Sequence, residues 1–372
     1  MRILILNWRD IKNPKSGGAE ILTHEIAKKW IGMGNQVTLF SSFFKNSLPL
    51  EMVDGVRIIR KGYPDARLLF SSVHFLAFLY YLKNHKNFDV VVDEIHGIPF
   101  FTPWYVKEKK VVLICEVAGA LWIKMFGLFF GFLGKEMERF YLKFVYKNIP
   151  YLTISNSTKE ELIKEGVREK DITVLPMGLT VPKVLKKVDK ENNPTLIFVG
   201  RLSKSKGVED AIATLRKISE VYEKVKFWIV GDGDEEYVNY LKKMISKLKV
   251  ENRVTFFGFV SQDKKFELMG RAHVLIVPSI KEGWGLTVPE AGRVGTPAVG
   301  YNVEGLKEVI HNGKTGYLTL NNNPSRLSEL IIKILSNKAE YNKLAKAAKK
   351  LSLSYNWNNT ALAAFKIIKS KK

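Results

Sequence analysis

Short apolar runs alternate with amphipathic stretches along most of the chain, and this alternation restricts the possible folds more than any other feature of the sequence. The runs RILIL (2–6), QVTLFS (36–41) and FDVVVDE (88–94) are examples, and residues 19–34 repeat apolar side chains at helical spacing. Such runs are typical of strands buried in a parallel sheet, with helices as the crossovers between them. The pattern predicts an α/β fold with doubly wound parallel sheets.

The alternation begins twice, which indicates two domains, and 372 residues are enough for two separate cores. We place the first domain at 1–180. A polar, basic, proline-bounded stretch at 181–193 is interpreted as a linker, and the second domain is placed at 194–354, beginning with the run TLIFVG. The tail from about 355 to 372 is predicted to be a basic amphipathic helix. Within the first domain, Ser157 is the expected cap of a helix in NSTKEELIKEG.

The chain carries a net charge of +22, from 59 Lys+Arg against 37 Asp+Glu, and the excess is spread over both halves. An even positive field suits anionic small molecules, an anionic membrane surface or nucleic acid. Because no nucleic-acid-binding module is recognisable, we predict no nucleic-acid partner. The single cysteine, Cys115, and the lack of a secretory pattern at the start predict a cytoplasmic protein. The six histidines are scattered, so no metal site is expected.

One stretch, KEGWGLTVPEAGRVG at 281–295, sets two carboxylates around a glycine-rich turn that follows an apolar run. Pro289 predicts that a helix starts near there, with Glu290 in its first turn. The amides of the turn would then form an anion site suited to a diphosphate, while Glu290 accepts hydrogen bonds from a ribose and Glu282 faces the other end of the ligand. A plain capped helix is the alternative. The turn amides meant here are those of Gly285, Leu286 and Thr287.

A second stretch, RLSKSKG at 201–207, puts Arg201 and Lys206 directly after the strand TLIFVG. Two cations at that place could hold a diphosphate leaving group as its charge develops, although a solvated basic loop is the alternative. Gly17 and Gly18, between the first strand and the first helix, could approach a phosphate or a sugar, or form an ordinary turn. The GDGD sequence at 231–234 is interpreted as a structural turn, because it lacks the third glycine of a dinucleotide-binding fingerprint.

These motifs, together with RILILNWRDIKNPKSGGAE (2–20) and DEIHGIPFFTP (93–103), resemble glycosyltransferase family 4 over nearly the whole chain. The resemblance implies the GT-B fold, in which two Rossmann-like domains face each other across a cleft and the C-terminal helix returns to the first domain. It also implies that the second domain binds a nucleotide diphosphate sugar and the first binds the acceptor, with no metal or other cofactor. By that resemblance, Glu290 holds the ribose and Glu282 contacts the sugar hydroxyls. Arg201 and Lys206 neutralise the diphosphate. Gly17 and Gly18 border the cleft near the donor sugar.

The sequence departs from the family at the end of the strand in VVLICEVAG (111–119), where many relatives have a histidine that lies against the sugar. This chain has Cys115 and Glu116 there. Either Glu116 takes that place, or His96 in DEIHG does. A third interpretation is that Cys115 and Glu116 only pack or form hydrogen bonds. A histidine is not obligatory for a transfer whose main catalytic effect is stabilisation of the leaving group.

Two apolar segments bear on the acceptor. Residues 68–82 are too short and too polar to span a membrane and are predicted to form a packed helix. Residues 121–145 are densely aromatic and flanked by basic residues, so they either lie on a membrane and receive a lipid-linked substrate or form a core helix. With the charge of the chain, the first reading predicts a peripheral protein on the cytoplasmic face of the membrane.

Taken together, the sequence predicts a retaining, metal-independent glycosyltransferase that moves a hexose from a nucleotide diphosphate sugar to a glycan or lipid-linked acceptor. The missing histidine suggests one alternative, a non-catalytic subunit that binds nucleotide sugars on the same fold. A nucleotide-sugar epimerase would need a pair of acid and base groups around the sugar, and the sequence offers no convincing pair.

Overall fold

The computed structural model describes residues 1–65 and 70–370, and the chain divides into two compact units. Unit 1 consists of Met1–Gly178 and the C-terminal segment from Asn356, and unit 2 consists of Leu179–Tyr355. The sequence-based ranges were 1–180 with about 355–372, and 194–354. Residues 371–372 of the predicted last helix, and 68–69 of the predicted helix 68–82, lie outside the described residues.

Unit 1 is built on a sheet whose strands run in the order β3-β4-β2-β1-β5-β6-β7-β8. All neighbouring strands are parallel except β3 and β4, which a two-residue turn joins. The strands are β1 (Arg2–Leu6), β2 (Gln36–Ser41), β3 (Leu50–Val53), β4 (Val56–Arg60), β5 (Val90–Ile95), β6 (Lys109–Ile114), β7 (Tyr151–Thr153) and β8 (Ile172–Val174).

The antiparallel pair β3–β4 was not predicted, although the sequence contains a signal for it. Asp54 and Gly55 join the two strands, and both have positive φ, 49° and 83°. An Asp-Gly pair with that geometry is the preferred two-residue turn of a β-hairpin. The hairpin adds an edge to the sheet, far from the strand ends discussed below.

The helices of unit 1 are α1 (Gly18–Gly32), α2 (Val73–Asn84), α3 (Leu121–Phe140), α4 (Asn156–Lys164) and α12 (Trp357–Lys369). The prediction that Ser157 caps α4 was wrong. Ser155 is the cap, since its Oγ accepts a hydrogen bond from the amide of Thr158 at 3.1 Å, and Ser157 lies inside the first turn. The capping signal was correct in kind but displaced by two residues.

The C-terminal helix α12 packs against α1 and completes unit 1. The indole nitrogen of Trp30 donates to the carbonyl of Ala361 at 3.0 Å, and the hydroxyl of Thr360 donates to the carbonyl of Pro176 at 2.5 Å. A side chain at Gly178 would collide with the ring of Trp357, because a Cβ there would lie 2.1 Å from it. The chain thus returns to its first unit, as the family resemblance implies.

Unit 2 has a parallel sheet in the order β11-β10-β9-β12-β13-β14, with helices between the strands. Its strands are β9 (Thr195–Val199), β10 (Lys226–Val230), β11 (Val254–Gly258), β12 (Val274–Val277), β13 (Ala298–Gly300) and β14 (Gly316–Leu318). Its helices are α5 (Val208–Ile218), α6 (Glu235–Lys247), α7 (Gln262–Arg271), α8 (Thr287–Arg293), α9 (Glu304–Lys307), α10 (Pro324–Ser336) and α11 (Lys338–Ser352). The doubly wound α/β architecture predicted from the alternation is therefore confirmed.

The end of the predicted linker is fixed to unit 2 by polar contacts. The ammonium of Lys190 donates to the carbonyl of Ala272 and to the hydroxyl of Thr296, both at 2.6 Å, and burial lowers the pKa of Lys190 to about 7. The next residue, Glu191, forms a 2.6 Å ion pair with Arg271. The segment 181–193 was interpreted as a linker because it is polar and basic, but its last residues are held against unit 2 by these contacts. Among the described residues, no helix has both the length and the apolar character needed to cross a bilayer.

Candidate functional site

The strand order of unit 2 brings two distant sequence motifs to one place. Strand β9 lies beside β12, with β10 and β11 on one side of this pair and β13 and β14 on the other. The winding of the sheet therefore reverses between β9 and β12. Loops that leave the carboxyl ends of strands at such a reversal separate and form the usual ligand crevice of doubly wound sheets.

The loops after these two strands, 200–207 and 278–286, contact each other directly. The Lys206 ammonium forms an ion pair with the carboxylate of Glu282. The backbone also holds the loops together, since the amide of Ile280 donates to the carbonyl of Ser205 at 2.9 Å. Gly207 has φ of 67°, and a Cβ there would lie 2.1 Å from the carbonyl oxygen of Pro278. The expected convergence of the basic loop and the carboxylate loop is present.

Glycines fix the shape of the carboxylate loop. Gly285 has φ of 83°, and a Cβ at this position would lie 2.7 Å from the side chain of Leu306. A Cβ at Gly305 would lie 2.0 Å from the carbonyl oxygen of Glu282. The loop thus packs closely on α9 at two points, and only glycine allows that approach. This packing holds Glu282 next to Lys206.

A helix was predicted to start near Pro289, and α8 begins at Thr287, which makes Pro289 its third residue. The predicted place of Glu290 in the first turn is found. Because the helix has only seven residues, its dipole is small, and the cations of the neighbouring loop are the larger source of positive potential for an anion. Leu286 and Thr287 are partly buried at its start, and Arg201 is exposed directly after Gly200.

The carboxylate of Glu290 is buried, with an exposed fraction of 2%. Its Oε1 accepts a hydrogen bond from the ammonium of Lys265 at 2.7 Å. Within residues 1–65 and 70–370, its Oε2 has no hydrogen-bond partner. Burial raises the pKa of Glu290, and the charge of Lys265 opposes that rise. Lys265, in the middle of α7, was missed by the sequence analysis because no motif surrounds it.

Unit 1 repeats this arrangement at its own reversal of winding, between β1 and β5. Glu94, near the end of β5, is buried, and its Oε2 accepts hydrogen bonds from Asn7 Nδ2 and Thr23 Oγ1, both at 2.6 Å. Its Oε1 faces the imidazole of His96, with 3.0 Å between Oε1 and Nε2. One buried carboxylate therefore ties β1, α1 and β5 to this histidine.

The ring of His96 is stacked on Trp8, with 5.5 Å between the centroids. The guanidinium carbon of Arg9 also lies over the Trp8 ring, 3.9 Å from its centroid. Burial lowers the pKa of His96, but the hydrogen bond and charge of Glu94, with the charge of Glu20, outweigh it and raise the pKa above its usual value. The hydrogen bond to Glu94 thus favours the protonated form of His96. Glu94 and His96 are two positions apart, the spacing that puts strand side chains on one face.

Gly17 and Gly18 lie beside this cluster, at the start of α1. The amide of Gly17 donates to Glu20 Oε2 at 2.6 Å, so Glu20, in the first turn, caps the N-terminus of α1. A Cβ at Gly18 would meet no atom of the described chain within 4 Å. The packing of the described residues therefore does not require glycine at position 18. Close approach by a ligand is another reason for a glycine there.

Cys115 and Glu116 follow β6, the neighbour of β5, and both are partly buried. Burial, followed by the charges of Glu94, Glu20 and Glu116, raises the pKa of the Cys115 thiol well above its usual value. Such a thiol stays protonated at neutral pH and is a poor nucleophile. The structure therefore brings Glu116 and His96 to adjacent strand ends, and it gives an ordering partner, Glu94, to His96.

We predict that Glu94→Gln lowers the pKa of His96 below the usual histidine range, because the burial remains and the compensating charge is lost. An NMR titration of the histidine Cε1 protons, with the signal assigned through His96→Asn, measures this. Since the pKa of His96 is raised in the folded protein, the stabilisation from the pair is lost as pH rises through that folded value. Burial also raises the pKa of Glu94, so the comparison is made above pH 6. The stability difference between wild type and Glu94→Gln should thus shrink from pH 6 to pH 9. Glu160→Gln, on the exposed face of α4, is the control and should change neither quantity.

In a comparison with known proteins, each half of the chain matches a family of glycosyltransferases. Residues 16–181 match the family described as Glycosyltransferase Family 4, and residues 182–351 match the family described as Glycosyl transferases group 1. Among residues 1–65 and 70–370, no group of three or more His, Cys, Asp or Glu side chains is arranged to hold a metal ion.

Three relatives illustrate the range of similarity. An uncharacterized glycosyltransferase of Methanocaldococcus jannaschii is 32% identical over 181 residues, 48% of this chain and 46% of its own. The phosphatidylinositol N-acetylglucosaminyltransferase gpi3 subunit of Schizosaccharomyces pombe is 23% identical over 381 residues, 96% of this chain and 78% of its own. The structure of Anabaena HepE, solved in complex with UDP-glucose, superposes with a TM-score of 0.78 at 18% identity and covers 99% of both chains.

The chain spans about half the length of the first curated relatives that it matches. The two family matches adjoin each other and together run from residue 16 to residue 351, and the solved relative shares the fold over the full chain. The chain therefore belongs to the glycosyltransferase family 4 type of GT-B proteins.

Proposed function

We propose that this protein is a retaining, metal-independent glycosyltransferase that moves a hexose from a nucleotide diphosphate sugar to a lipid-linked glycan acceptor. The observation that carries the proposal is the convergence, at the β9/β12 reversal, of Lys206 with Glu282 and of Glu290 in the helix that follows. Lys206 offers a cation for the diphosphate of the donor. Glu282 and Glu290 offer carboxylates for the hydroxyl groups of the sugar and the ribose, which lie on either side of that diphosphate. HepE, which shares this fold, was solved with UDP-glucose, and this supports the choice of donor class.

On binding, the donor diphosphate would compete with Glu282 for the Lys206 ammonium. A diphosphate carries more negative charge than a carboxylate, so the lysine would turn toward it, with Arg201 as the second cation. Glu282 would then be released to accept hydrogen bonds from the sugar hydroxyls. The ion pair in the structure is thus a resting arrangement that keeps both groups in place.

Glu290 would receive the ribose. Its Oε1 is held by Lys265, and its Oε2 lacks a partner among the described residues, so one carboxylate oxygen is available for two vicinal hydroxyls. An unpaired acceptor in a buried place is costly and calls for an explanation. A ribose that donates to it would remove the cost.

In the transfer step, the bond between the anomeric carbon and the diphosphate oxygen breaks while the acceptor oxygen forms its bond to the same face of that carbon. The acceptor proton passes to the departing diphosphate, so no other base is needed. Charge develops on the diphosphate, and Arg201 and Lys206 would stabilise it, which is the largest contribution expected from the protein. Of the two candidates for the role of the missing histidine, we propose His96 and not Glu116, because Glu94 orders its ring.

The acceptor is proposed to be a lipid-linked glycan at the cytoplasmic face of a membrane. Two observations support this choice. A relative that aligns with 96% of the chain is named for transfer to phosphatidylinositol, a lipid. In addition, residues 125–132 of α3 in unit 1, the unit assigned to the acceptor, expose large apolar side chains.

The donor assignment is tested by calorimetric titration with UDP-, GDP- and ADP-sugars. At least one should bind, and Glu290→Gln should weaken that donor by roughly tenfold to a hundredfold, the value of one or two hydrogen bonds to a charged group. Glu329→Gln, an exposed acid of α10, is the matched control and should bind as the wild type does. Unchanged affinity in a folded Glu290→Gln would remove Glu290 from the site.

Reaction with lipid-linked glycans then separates the remaining alternatives. The anomeric configuration of the product, read by NMR, should equal that of the donor, and excess EDTA should leave the rate unchanged. An inverted product, or loss of rate in EDTA, would contradict the retaining or the metal-independent part alone. Donor binding without transfer to any acceptor would favour the non-catalytic subunit.

A further inference from the structure

Helix α3 is a helical hairpin and not a single rod. Gly127 has φ of 77° and ψ of 179°, which breaks the helix between residues 121–126 and 128–140. The short arm folds back along the long one, because a Cβ at Gly131 would lie 2.3 Å from Ile123 Cα, and a Cβ at Gly134 would lie 2.6 Å from the ring of Trp122. We call residues 121–140 the α3 hairpin. Its two arms can approach so closely only because small residues face them.

The tip of the α3 hairpin is apolar and uncovered. Six large side chains between 125 and 132 are more than half exposed, and Leu128 reaches 82%. At roughly 150–250 Å² for a whole large side chain, they present on the order of 600–1,000 Å² of apolar surface. The largest apolar patch of an ordinary monomer is about 300–600 Å² and is often functional. The six side chains are Met125, Phe126, Leu128, Phe129, Phe130 and Phe132.

The base of the hairpin is firmly anchored, so the exposed tip is not the result of a loosely held helix. Glu138 is buried and accepts hydrogen bonds from the amides of Ala118 and Gly119, at 2.9 and 2.6 Å, and from the indole of Trp122 at 3.1 Å. Directly after the long arm, Tyr141 and Leu142 enter the core of unit 1. The hydrogen bonds of Glu138 and the packing of Tyr141 and Leu142 therefore fix the base of the hairpin, while its apolar tip remains exposed.

The charges around the hairpin identify what would cover it. Between 121 and 134 the sequence contains one charged residue, the basic Lys124, and no acid. Of the two acids of the hairpin, Glu138 is buried and Glu136 is partly buried, while Lys143 and Lys147, just after the hairpin, are exposed. An apolar tip with basic residues behind it matches the layers of an anionic bilayer, in which acyl chains lie below negatively charged headgroups.

We propose that the α3 hairpin inserts into one leaflet of an anionic membrane, with its tip among the acyl chains and Lys143 and Lys147 at the headgroups. The hairpin does not span the bilayer, since its longer arm of 13 residues is about 20 Å long, against about 30 Å for the hydrocarbon core. The role of this insertion, which rests on the proposed function, is to bring unit 1 to the surface where lipid-linked acceptors are found.

Flotation of the full-length protein with vesicles tests the insertion. Wild type should float with vesicles that contain phosphatidylglycerol and phosphatidylcholine, and less with phosphatidylcholine alone. The double variant Phe129→Glu/Phe130→Glu should reduce the vesicle-bound fraction at least tenfold. Phe259→Glu changes a phenylalanine of unit 2 that is even more exposed, at 86%, and should float as the wild type does. Lys143→Gln/Lys147→Gln should reduce binding to the anionic vesicles only.

Three results would overturn the proposal: no flotation of wild type, equal flotation of the phenylalanine double variant, or a concentration-dependent oligomer that the double variant abolishes while vesicles bind neither protein. The last result would assign the tip to a second copy of the chain. Because the substituted residues are exposed, thermal unfolding should be unchanged, which excludes misfolding as the cause. Donor titration without vesicles measures the proposed function separately, so failure of one does not imply failure of the other.

Discussion

Lys206→Ala should lower turnover on the nucleotide sugar by about 10²–10³-fold, while donor affinity falls much less. The reason is that the negative charge of the diphosphate grows as the bond to the sugar breaks, so a cation beside it stabilises the transition state more than the ground state. The loss corresponds to about 3–4 kcal/mol, the usual effect of removing one such group. Measured kcat and KM with a defined donor and acceptor would show the effect mainly in kcat.

The control for this prediction is Lys204→Ala, two residues earlier in the same loop and exposed, which should stay within about twofold of the wild type. Removal of Lys206 also leaves Glu282 without its ion-pair partner, so part of the loss belongs to that residue. The variants Glu282→Gln and Lys206→Ala/Glu282→Gln complete a double-mutant cycle that separates the two. If Lys206→Ala keeps full turnover, the diphosphate assignment is wrong.

Most strands of both sheets could be predicted from the sequence, because they are continuous apolar runs that are buried in the sheet. The edge strand β3, LEMV, is partly exposed and contains an acid, and it was not predicted. The strand order could not be predicted. Which strand lies beside β9 depends on contacts between residues about eighty positions apart, such as Leu196 with Val274, and no local signal reports them. The contact between the basic loop and the carboxylate loop therefore had to be a conditional prediction, and it follows once β9 and β12 are neighbours.

The candidate site of unit 1 was predicted only in part. His96 and Glu116 were named, but Glu94, which orders His96, was not, although Glu94 and His96 are only two positions apart at the end of β5. The clue was missed because a glutamate at the end of an apolar run is usually solvated, and only the strand order shows that this one is enclosed by β1 and α1. Burial of a polar group without a hydrogen-bond partner costs free energy, so a buried polar group indicates that its partners lie nearby.

The α3 hairpin shows a second limit of sequence reasoning. Its dense aromatic composition suits a buried helix and a membrane contact equally well, since both environments are apolar. Only exposure separates the two, and exposure depends on what the rest of the chain covers. The glycines at 127, 131 and 134 were a local hint, because glycine is unfavourable inside a helix, and in the structure Gly127 breaks the helix with a φ of 77°.

Gly231→Ala should destabilise unit 2 by about 3–5 kcal/mol, the largest stability effect that we predict for a single methyl group. Gly231 has φ of 133°, which other residues rarely adopt, and a Cβ there would lie 1.9 Å from the carbonyl oxygen of Gly200. Backbone strain and overpacking each cost about 1–3 kcal/mol. Relief would require β9 and β10 to separate at their carboxyl ends, where the amide of Gly200 donates to Val230 at 3.0 Å. Calorimetric or denaturant unfolding of the full chain measures the effect.

Gly313→Ala is the matched control, because Gly313 also has positive φ, 72°, but a Cβ there would meet no described atom within 4 Å. It should cost only the strain of the backbone, about 1–2 kcal/mol. The difference between the two variants therefore isolates the collision with Gly200, next to Arg201 in the basic loop. Since separation of β9 and β10 would displace that loop, Gly231→Ala should also weaken donor binding at temperatures where the protein remains folded. Equal stability losses for the two variants would show that position 231 tolerates a side chain, so that the close approach to Gly200 is not what requires glycine in this turn.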